Sequence, residues 1–217
     1  MTMENGELIL IDYVGRTSDG EIFDISSEEK AKEEGVYTER MDYRPVPVLI
    51  GSGYVIEGLE EKLREMEVGD SEENIDIPSE KAYGGRESDK IQTYPEKEFK
   101  KQEVNVRVGD QIRVGKRKGK IISKGSGRVR VDFNHPLSGK NLLYDVEVLE
   151  KVEEDEEKAE HIFDYRIGHG DISFEEGKII VNHDIEGHDH EIPENVKKEF
   201  REEITSHTEF EEVEFKE

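Results

Sequence analysis

The sequence lacks cysteine and any long apolar run, and only 32% of its residues are hydrophobic. Without cysteine, neither a disulfide framework nor a thiolate zinc site can form. No apolar run approaches the roughly 20 residues that cross a bilayer, so we expect no membrane association. The opening residues MTMENGELILIDY lack a basic start followed by an apolar core, which predicts no signal peptide. Together these absences predict a cytoplasmic protein.

Charge is abundant and unevenly distributed along the 217 residues, which carry a formal net charge of −24. Residues 86–131 hold 14 Lys+Arg against 6 Asp+Glu, a net of +8. Residues 151–217 hold 8 against 23, a net of −15. The overall negative charge argues against general nucleic-acid binding, whereas a basic island in an acidic chain indicates a separate module with its own partner.

Hydrophobic periodicity predicts short strands and few helices. ELILIDYVGRT and NLLYDVEVLEKV alternate with a period of two, as strands do, and apolar residues recur at helical spacing over 55–66. Residues 26–35 predict a short helix that Gly35 ends, and IPENVKKEFREEITSH predicts a helix with Val196, Phe200 and Ile204 on one face. EEDEEKAE, residues 153–160, is interpreted as a hydrated acidic linker.

Five segments occur in a specific order: DYVGRTSDGEIFD, GSGYVIEGLEEKL, MEVGD, AYG and NLLYDVEVL. This ordered set resembles the FKBP-type peptidyl-prolyl isomerases over about half the chain. The stretch between AYG and DFNHPLSGKNLLYDVEVL is similar to the insert-in-flap chaperone domain of SlyD-like members, and the tail resembles that of long archaeal members.

The resemblance implies an α+β fold with three parts. An antiparallel FKBP sheet wrapped on one short helix would comprise residues 1–85 and 132–152. A small β-rich insert domain would occupy residues 86–131. An acidic linker and a C-terminal α+β domain would occupy residues 153–217.

The resemblance also implies a pocket for a prolyl ring and no cofactor. It assigns catalytic roles to Tyr13, Phe23, Asp24, Ile56, Tyr83 and Tyr144, and substrate-binding roles to Val46, Val55, Leu59 and Leu137. Many relatives carry larger aromatic residues where this chain has Leu59 and Val46, which implies a wider pocket. The expected partners are unfolded or proline-containing polypeptides, bound during folding.

Other interpretations of the same residues stay open. Asp12 and Asp24 suggest an acid–base pair, but on a strand Asp12 faces away from Tyr13, which favours a structural role for it. GSG, residues 51–53, is interpreted as a tight turn because no strand–GxGxxG–helix unit surrounds it. His183, His188 and His190 suggest either a metal site or a solvated loop. No metal site is therefore assigned.

Two alternatives to an isomerase also remain. The chain is consistent with a holdase chaperone whose pocket is vestigial. RVGKRKGK, residues 113–120, is consistent with contact to nucleic acid or the ribosome through the basic insert.

The C-terminal unit is short, and single cores of that size lean on a partner. We expect it to dock on a neighbouring module or to form a homodimer. Every predicted pocket residue precedes Val152, so the sequence predicts isomerase activity that is independent of this tail.

Overall fold

The computed structural model describes residues 2–101, 105–182 and 192–216, which form two compact units. Residues 1–76 and 143–217 make the first unit, and residues 77–142 make the second. The strands are β1 (Leu8–Thr17), β2 (Ile22–Ile25), β3 (Val46–Leu49), β4 (Ser71–Ile77), β5 (Ile91–Pro95), β6 (Gln111–Val114), β7 (Arg117–Gly125), β8 (Arg128–Asp132), β9 (Leu142–Val152), β10 (Asp171–Glu175), β11 (Lys178–Asn182) and β12 (Glu212–Lys216). The helices are α1 (Glu28–Glu33), α2 (Glu57–Leu63), α3 (Glu96–Lys101), α4 (Asp155–Arg166) and α5 (Glu194–His207), and two 3-10 turns cover Ser79–Lys81 and Ser88–Lys90.

The five-stranded sheet of the first unit is built around β1. Its order is β2-β1-β9-β4, and β3 also pairs with β1 in antiparallel register, Leu8 opposite Leu49 and Ile11 opposite Val46. Leu8, Ile9 and Ile11 are fully buried although neighbouring residues of a strand point to opposite faces. Both faces of β1 are therefore covered.

The two helices predicted at residues 26–35 and 55–66 are present, but each is shorter than the predicted segment. Ser27 is the N-cap of α1, and its side chain accepts from the Lys30 amide. Gly35 follows the helix with a φ of +71°. This is the left-handed conformation that glycine adopts readily after a helix. Ile56 is the N-cap of α2, and Leu59 and Leu63 on this helix are buried.

The second unit contains an antiparallel sheet in the order β5-β8-β7-β6. Its core consists of Phe99, Val106, Ile121, Val129 and Val131. The unit spans residues 77–142, a wider range than the 86–131 that the charge distribution predicts for the insert. Residues 77–85 and 133–142 belong to the compact unit but lie outside the basic segment. Charge alone therefore did not indicate where the unit begins and ends.

The predicted linker at 153–160 is largely helical instead. Residues 155–160 form the first half of α4, and Ala159, Ile162 and Phe163 are buried. Asp155, Glu156 and Glu157 lie in the first turn, where negative side chains stabilise the helix dipole. The acidic run therefore favours the beginning of a helix, and the apolar residues that follow it anchor that helix.

The tail, defined as residues 153–217, adds a three-stranded sheet and α5 to the first unit. β10 and β11 form the predicted hairpin, and β12 pairs with β11 in parallel. Phe200 and Ile204 of α5 are fully buried, and Val196 is half-buried. α4 packs against α5, β10 and β3, so one helix contacts both sheets of the unit.

The mixed α+β class with antiparallel sheets and few helices is confirmed. Among the residues that the structure describes, no helix is long and apolar enough to cross a membrane.

Candidate active site

Three aromatic rings meet at the middle of the five-stranded sheet. The ring centroids of Tyr13 and Tyr144 lie 5.8 Å apart, and those of Phe23 and Tyr144 also lie 5.8 Å apart, edge to face. Tyr13 and Phe23 are half-buried, whereas Tyr144 is buried. Strands β1, β2 and β9 thus supply one ring each to an aromatic cluster that includes partly accessible apolar surface.

Gly15 allows this cluster to close. A Cβ atom at Gly15 would lie 2.7 Å from Cζ of Phe23 and 3.2 Å from Cε1 of Tyr144. Both distances are shorter than ordinary van der Waals contact, so a side chain at this position would displace a ring. Sequence analysis missed Gly15 because the DYVG motif alone does not indicate which ring packs on the glycine.

Asp24 is held between two donors. Its Oδ2 accepts from the Tyr13 hydroxyl at 2.7 Å, and its Oδ1 accepts from the Ile25 amide at 3.0 Å. Both carboxylate oxygens are used within the site, so Asp24 orients the Tyr13 ring.

Asp12 has a structural partner. Its Oδ1 accepts from the Ser26 hydroxyl at 2.8 Å, and the Ser26 oxygen accepts from the Tyr13 amide at 2.8 Å. The expected structural role for Asp12 agrees with these contacts, which tie β1 to the end of β2.

Val55 and Ile56 are half-buried at the beginning of α2, and Leu59 is buried one turn later. Ile56 occupies the N-cap with φ −62° and ψ 148°, and no side-chain cap hydrogen bond is formed there among the described residues. Helices usually begin with Ser, Thr, Asp or Asn, whose oxygen satisfies an amide of the first turn. An isoleucine at this place leaves amides of the first turn for other acceptors.

Val46 lies in a cleft of about 290 Å3 between β3 and α4. The cleft is also lined by Leu10, Pro47 and Tyr165, and Arg44 contacts Asp164 at 3.4 Å across it. The tail therefore adjoins this predicted substrate-binding residue.

Tyr83 and Leu137 belong to the second unit. The Tyr83 ring stacks on His135 with centroids 4.1 Å apart and planes at 10°. The Leu137 amide donates to Nδ1 of His135 at 3.2 Å. His135 thus joins the two predicted residues, and sequence analysis missed it because the NHPLSG motif gave no sign of its stacking partner.

The described residues contain no group of three or more His, Asp or Glu side chains placed to hold a metal ion. His183, His188 and His190 lie outside the described residues.

Known proteins resemble this chain both within the second unit and over about two thirds of its length. The family model "FKBP26, IF domain" matches residues 92–137. A short-type peptidyl-prolyl cis-trans isomerase of Methanocaldococcus jannaschii is 36% identical over 146 residues, 67% of this chain and 92% of that protein. The chain belongs to the FKBP-type peptidyl-prolyl isomerase family.

SlyD proteins of the FKBP type extend this similarity. The SlyD isomerase of Helicobacter pylori is 32% identical over 62% of this chain and 76% of its own length. That of Haemophilus influenzae is 29% identical over 74% of this chain and 78% of its own length. The FKBP-type family that the ordered motifs predicted is therefore confirmed. The roles of the individual site residues stay predictions.

Asp24→Asn and Asp12→Asn test the roles of the two carboxylates. Asparagine at 24 can keep only one of the two acceptor contacts, so we expect isomerase kcat/KM to fall several-fold. Asparagine at 12 still offers an oxygen to Ser26, so we expect no change. Steady-state kinetics on a proline peptide measures both variants, and equal losses in the two would favour the acid–base pair instead.

Proposed function

We propose that this chain accelerates cis–trans isomerisation of X-Pro bonds in folding polypeptides and needs no cofactor. The observation that carries the proposal is the aromatic cluster of Tyr13, Phe23 and Tyr144 closed over Gly15. A prolyl ring is apolar and compact, and aromatic faces and edges are suited to bind it. Membership of the FKBP-type family supports the same assignment.

The chemistry requires no nucleophile. Rotation about a peptide bond faces a barrier of about 18–20 kcal/mol because resonance keeps the amide planar, and the two X-Pro isomers are nearly balanced. The planar amide is more charge-separated than the twisted one, so an apolar surface favours the twisted form. Catalysis then follows from binding the transition state better than the ground state.

Val55 and Ile56 form the proposed wall of the pocket, and Leu59 its floor. The half-buried side chains of the first two residues offer apolar contact to the prolyl ring. The Ile56 amide, at a helix start without a side-chain cap, is the proposed donor to a substrate carbonyl. Tyr83, Leu137 and Val46 keep the roles that the resemblance implies as part of the proposal.

The insert is proposed to hold unfolded clients. A cleft of about 340 Å3 in the second unit is lined by Tyr94, Phe99, Ile112 and Val114 among others. β6, which carries Ile112 and Val114, is an edge strand of its sheet. An edge strand beside a cleft lined in part by apolar side chains can accept an extended chain by backbone pairing and side-chain burial.

The arrangement proposed for the whole chain has an FKBP sheet, an insert domain in its flap and a C-terminal α+β part. A cytoplasmic location and a homodimer through the C-terminal part belong to the same proposal. In the alternative, the chain is a holdase chaperone with a vestigial pocket. Isomerase activity of the unmodified chain on a proline peptide would exclude this alternative.

Phe23→Ala tests the pocket. Removing one ring of the cluster should lower kcat/KM for a proline peptide tenfold or more, because the prolyl ring loses apolar contact with one of the three aromatic side chains. Phe174→Ala, which removes a half-buried ring from β10, serves as the control and should leave kcat/KM unchanged. Unchanged activity in Phe23→Ala, with the chain folded by circular dichroism, would contradict the pocket assignment.

Ile112→Thr combined with Val114→Thr tests the client cleft. Threonine keeps the β-branched shape that strands favour but adds a hydroxyl to each apolar surface. We expect several-fold weaker suppression of aggregation of a refolding client, with peptide isomerase activity unchanged. Val108→Thr, at a position that is 61% exposed and does not line the cleft, is the control. Full suppression by the double variant would exclude this cleft as the client site.

The register of the insert sheet supports a second candidate function, contact with RNA or the ribosome. Arg113 pairs with Lys118, Lys120 pairs with Asp132, and residues two apart on a strand share a face. One exposed face of the sheet therefore gathers five cations: Arg113, Lys118, Lys120, Arg128 and Arg130. Arg86 neutralises Asp132, the acid on that face.

Lys118→Glu with Arg130→Glu tests this basic face. We expect weaker binding of single-stranded RNA and a shallower salt dependence, because each phosphate contact releases counterions. Lys198→Glu with Lys216→Glu changes the net charge equally at exposed positions of the tail and should have little effect. Equal losses in both pairs, measured by fluorescence anisotropy at several salt concentrations, would mean that only overall charge matters.

A further inference from the structure

Tyr54 immediately precedes the proposed pocket wall, and the tail holds it on three sides. Its ring stacks on Tyr165 with centroids 3.9 Å apart and planes at 13°. Its hydroxyl donates to Oε2 of Glu203 at 2.9 Å. Its carbonyl accepts from the Tyr165 hydroxyl at 3.2 Å. Ring, hydroxyl and backbone of one residue are therefore bound by α4 and α5.

Glu203 is buried, and its charge is matched by Arg166. Arg166 Nε donates to Oε2 of Glu203 at 2.9 Å, and its Nη2 contacts Oε1 of the same carboxylate. The Arg166 guanidinium also lies 5.1 Å from the centroid of the Tyr54 ring. A buried carboxylate bonded on both oxygens is tolerated because no charge is left unpaired. Glu203 thus joins α4, α5 and Tyr54 in one network.

Tyr54 and Arg166 keep their protons near neutral pH. Burial and the neighbouring Glu203 raise the pKa of Tyr54 well above its usual range, so its hydroxyl remains a donor. The hydrogen bond to Glu203 raises the pKa of Arg166, which stays charged. Both side chains therefore remain hydrogen-bond donors at ordinary pH.

The loop that carries Tyr54 has few conformational restraints of its own. Gly51 and Gly53 have φ of +93° and +68°, and glycine populates many alternative conformations. Apart from the contacts with α4 and α5, the Ser52 amide donates to the Leu49 carbonyl at 3.1 Å and the Gly51 amide donates to Oε1 of Glu60 at 3.2 Å. Both involve the beginning of the loop. Its end, directly before Val55 and Ile56, is fixed by the tail.

We propose that Glu203 is a positioning residue of the isomerase site, acting through Tyr54 to fix the wall formed by Val55 and Ile56. This inference rests on the proposed function. It also reverses the expectation that activity is independent of the tail: the wall residues precede Val152, but the residues that hold Tyr54 follow it. Prolyl binding then depends on a carboxylate 149 residues further along the chain.

Tyr54→Phe in the full chain is the primary test. It removes only the hydroxyl and keeps the stacking on Tyr165, so the fold should be retained. We expect KM for a proline peptide to rise about threefold to tenfold, the change that follows loss of one hydrogen bond, while kcat changes less. The measurement is made well below the melting temperature, where a residue with a merely structural role would leave both constants unchanged.

Glu203→Ala and the double variant complete the design. Because both residues act through one hydrogen bond, the double variant should raise KM no more than the larger single effect. Glu199→Gln, which alters the more exposed contact of Arg166 at 3.3 Å, should leave KM unchanged. Hydrogen exchange in residues 51–57 should accelerate in Tyr54→Phe, while exchange in β9 should not.

The outcomes separate the inference from the function on which it rests. Unchanged KM and unchanged exchange in Tyr54→Phe, with an active unmodified chain, would overturn the positioning role alone. An unmodified chain without isomerase activity would overturn the proposed function and this inference with it. Faster exchange at an unchanged KM would show that Tyr54 orders the loop without affecting the substrate, which also contradicts the inference.

Discussion

Strand β1 needs cover on both faces, and the organisation of the first unit follows from this constraint. Ile9, Ile11, Tyr13 and Gly15 alternate onto one face, which carries the aromatic cluster. On the other face, Val14 packs with Ile25 of β2 and with Ala31 of α1. Leu10, on that same face, lines the cleft beside α4. An apolar strand between two layers thus brings the tail against the sheet that carries the candidate site.

The candidate site depends on fit more than on reactive groups. The aromatic rings contribute apolar surface, Gly15 contributes the space for their close approach, and Asp24 orients Tyr13. None of these residues needs to exchange a proton for an amide to twist. Such a site is sensitive to small displacements of its walls, since a prolyl ring offers few polar groups to orient it. This sensitivity is the physical reason for the functional role that we propose for the anchoring of Tyr54.

Local patterns in the sequence predicted the strands β1 and β9, the helices α1, α2 and α5, and the hairpin of the tail. The ordered motifs predicted the family and the identity of the three clustered rings. What escaped prediction depends on contacts between distant segments. Gly15 matters because Phe23 from another strand packs on it, and Glu203 matters because Tyr54, 149 residues earlier, donates to it. Neither contact has a signature in the local pattern.

The same reasoning explains the acidic segment at 153–160. Six acidic residues among eight predict a hydrated linker when the segment is considered alone. The helix forms because Ile162 and Phe163 follow within one turn of the acidic run, and because acidic side chains suit the beginning of a helix. The acidic composition indicated that part of this segment is exposed to solvent. It could not indicate that Ala159 is buried, because that burial depends on the elements that pack against α4.

The central claim is that the chain catalyses X-Pro isomerisation at the aromatic cluster. Two-dimensional exchange NMR of a short proline peptide tests it most directly, because it records cis–trans interconversion without a coupled protease. With a catalytic amount of the chain, the account predicts exchange cross-peaks on a timescale far shorter than the tens to hundreds of seconds of the uncatalysed reaction. It also predicts that the NMR resonances of the cluster residues change their chemical shifts as the peptide is added. Absence of exchange cross-peaks, with the chain folded, would contradict the claim.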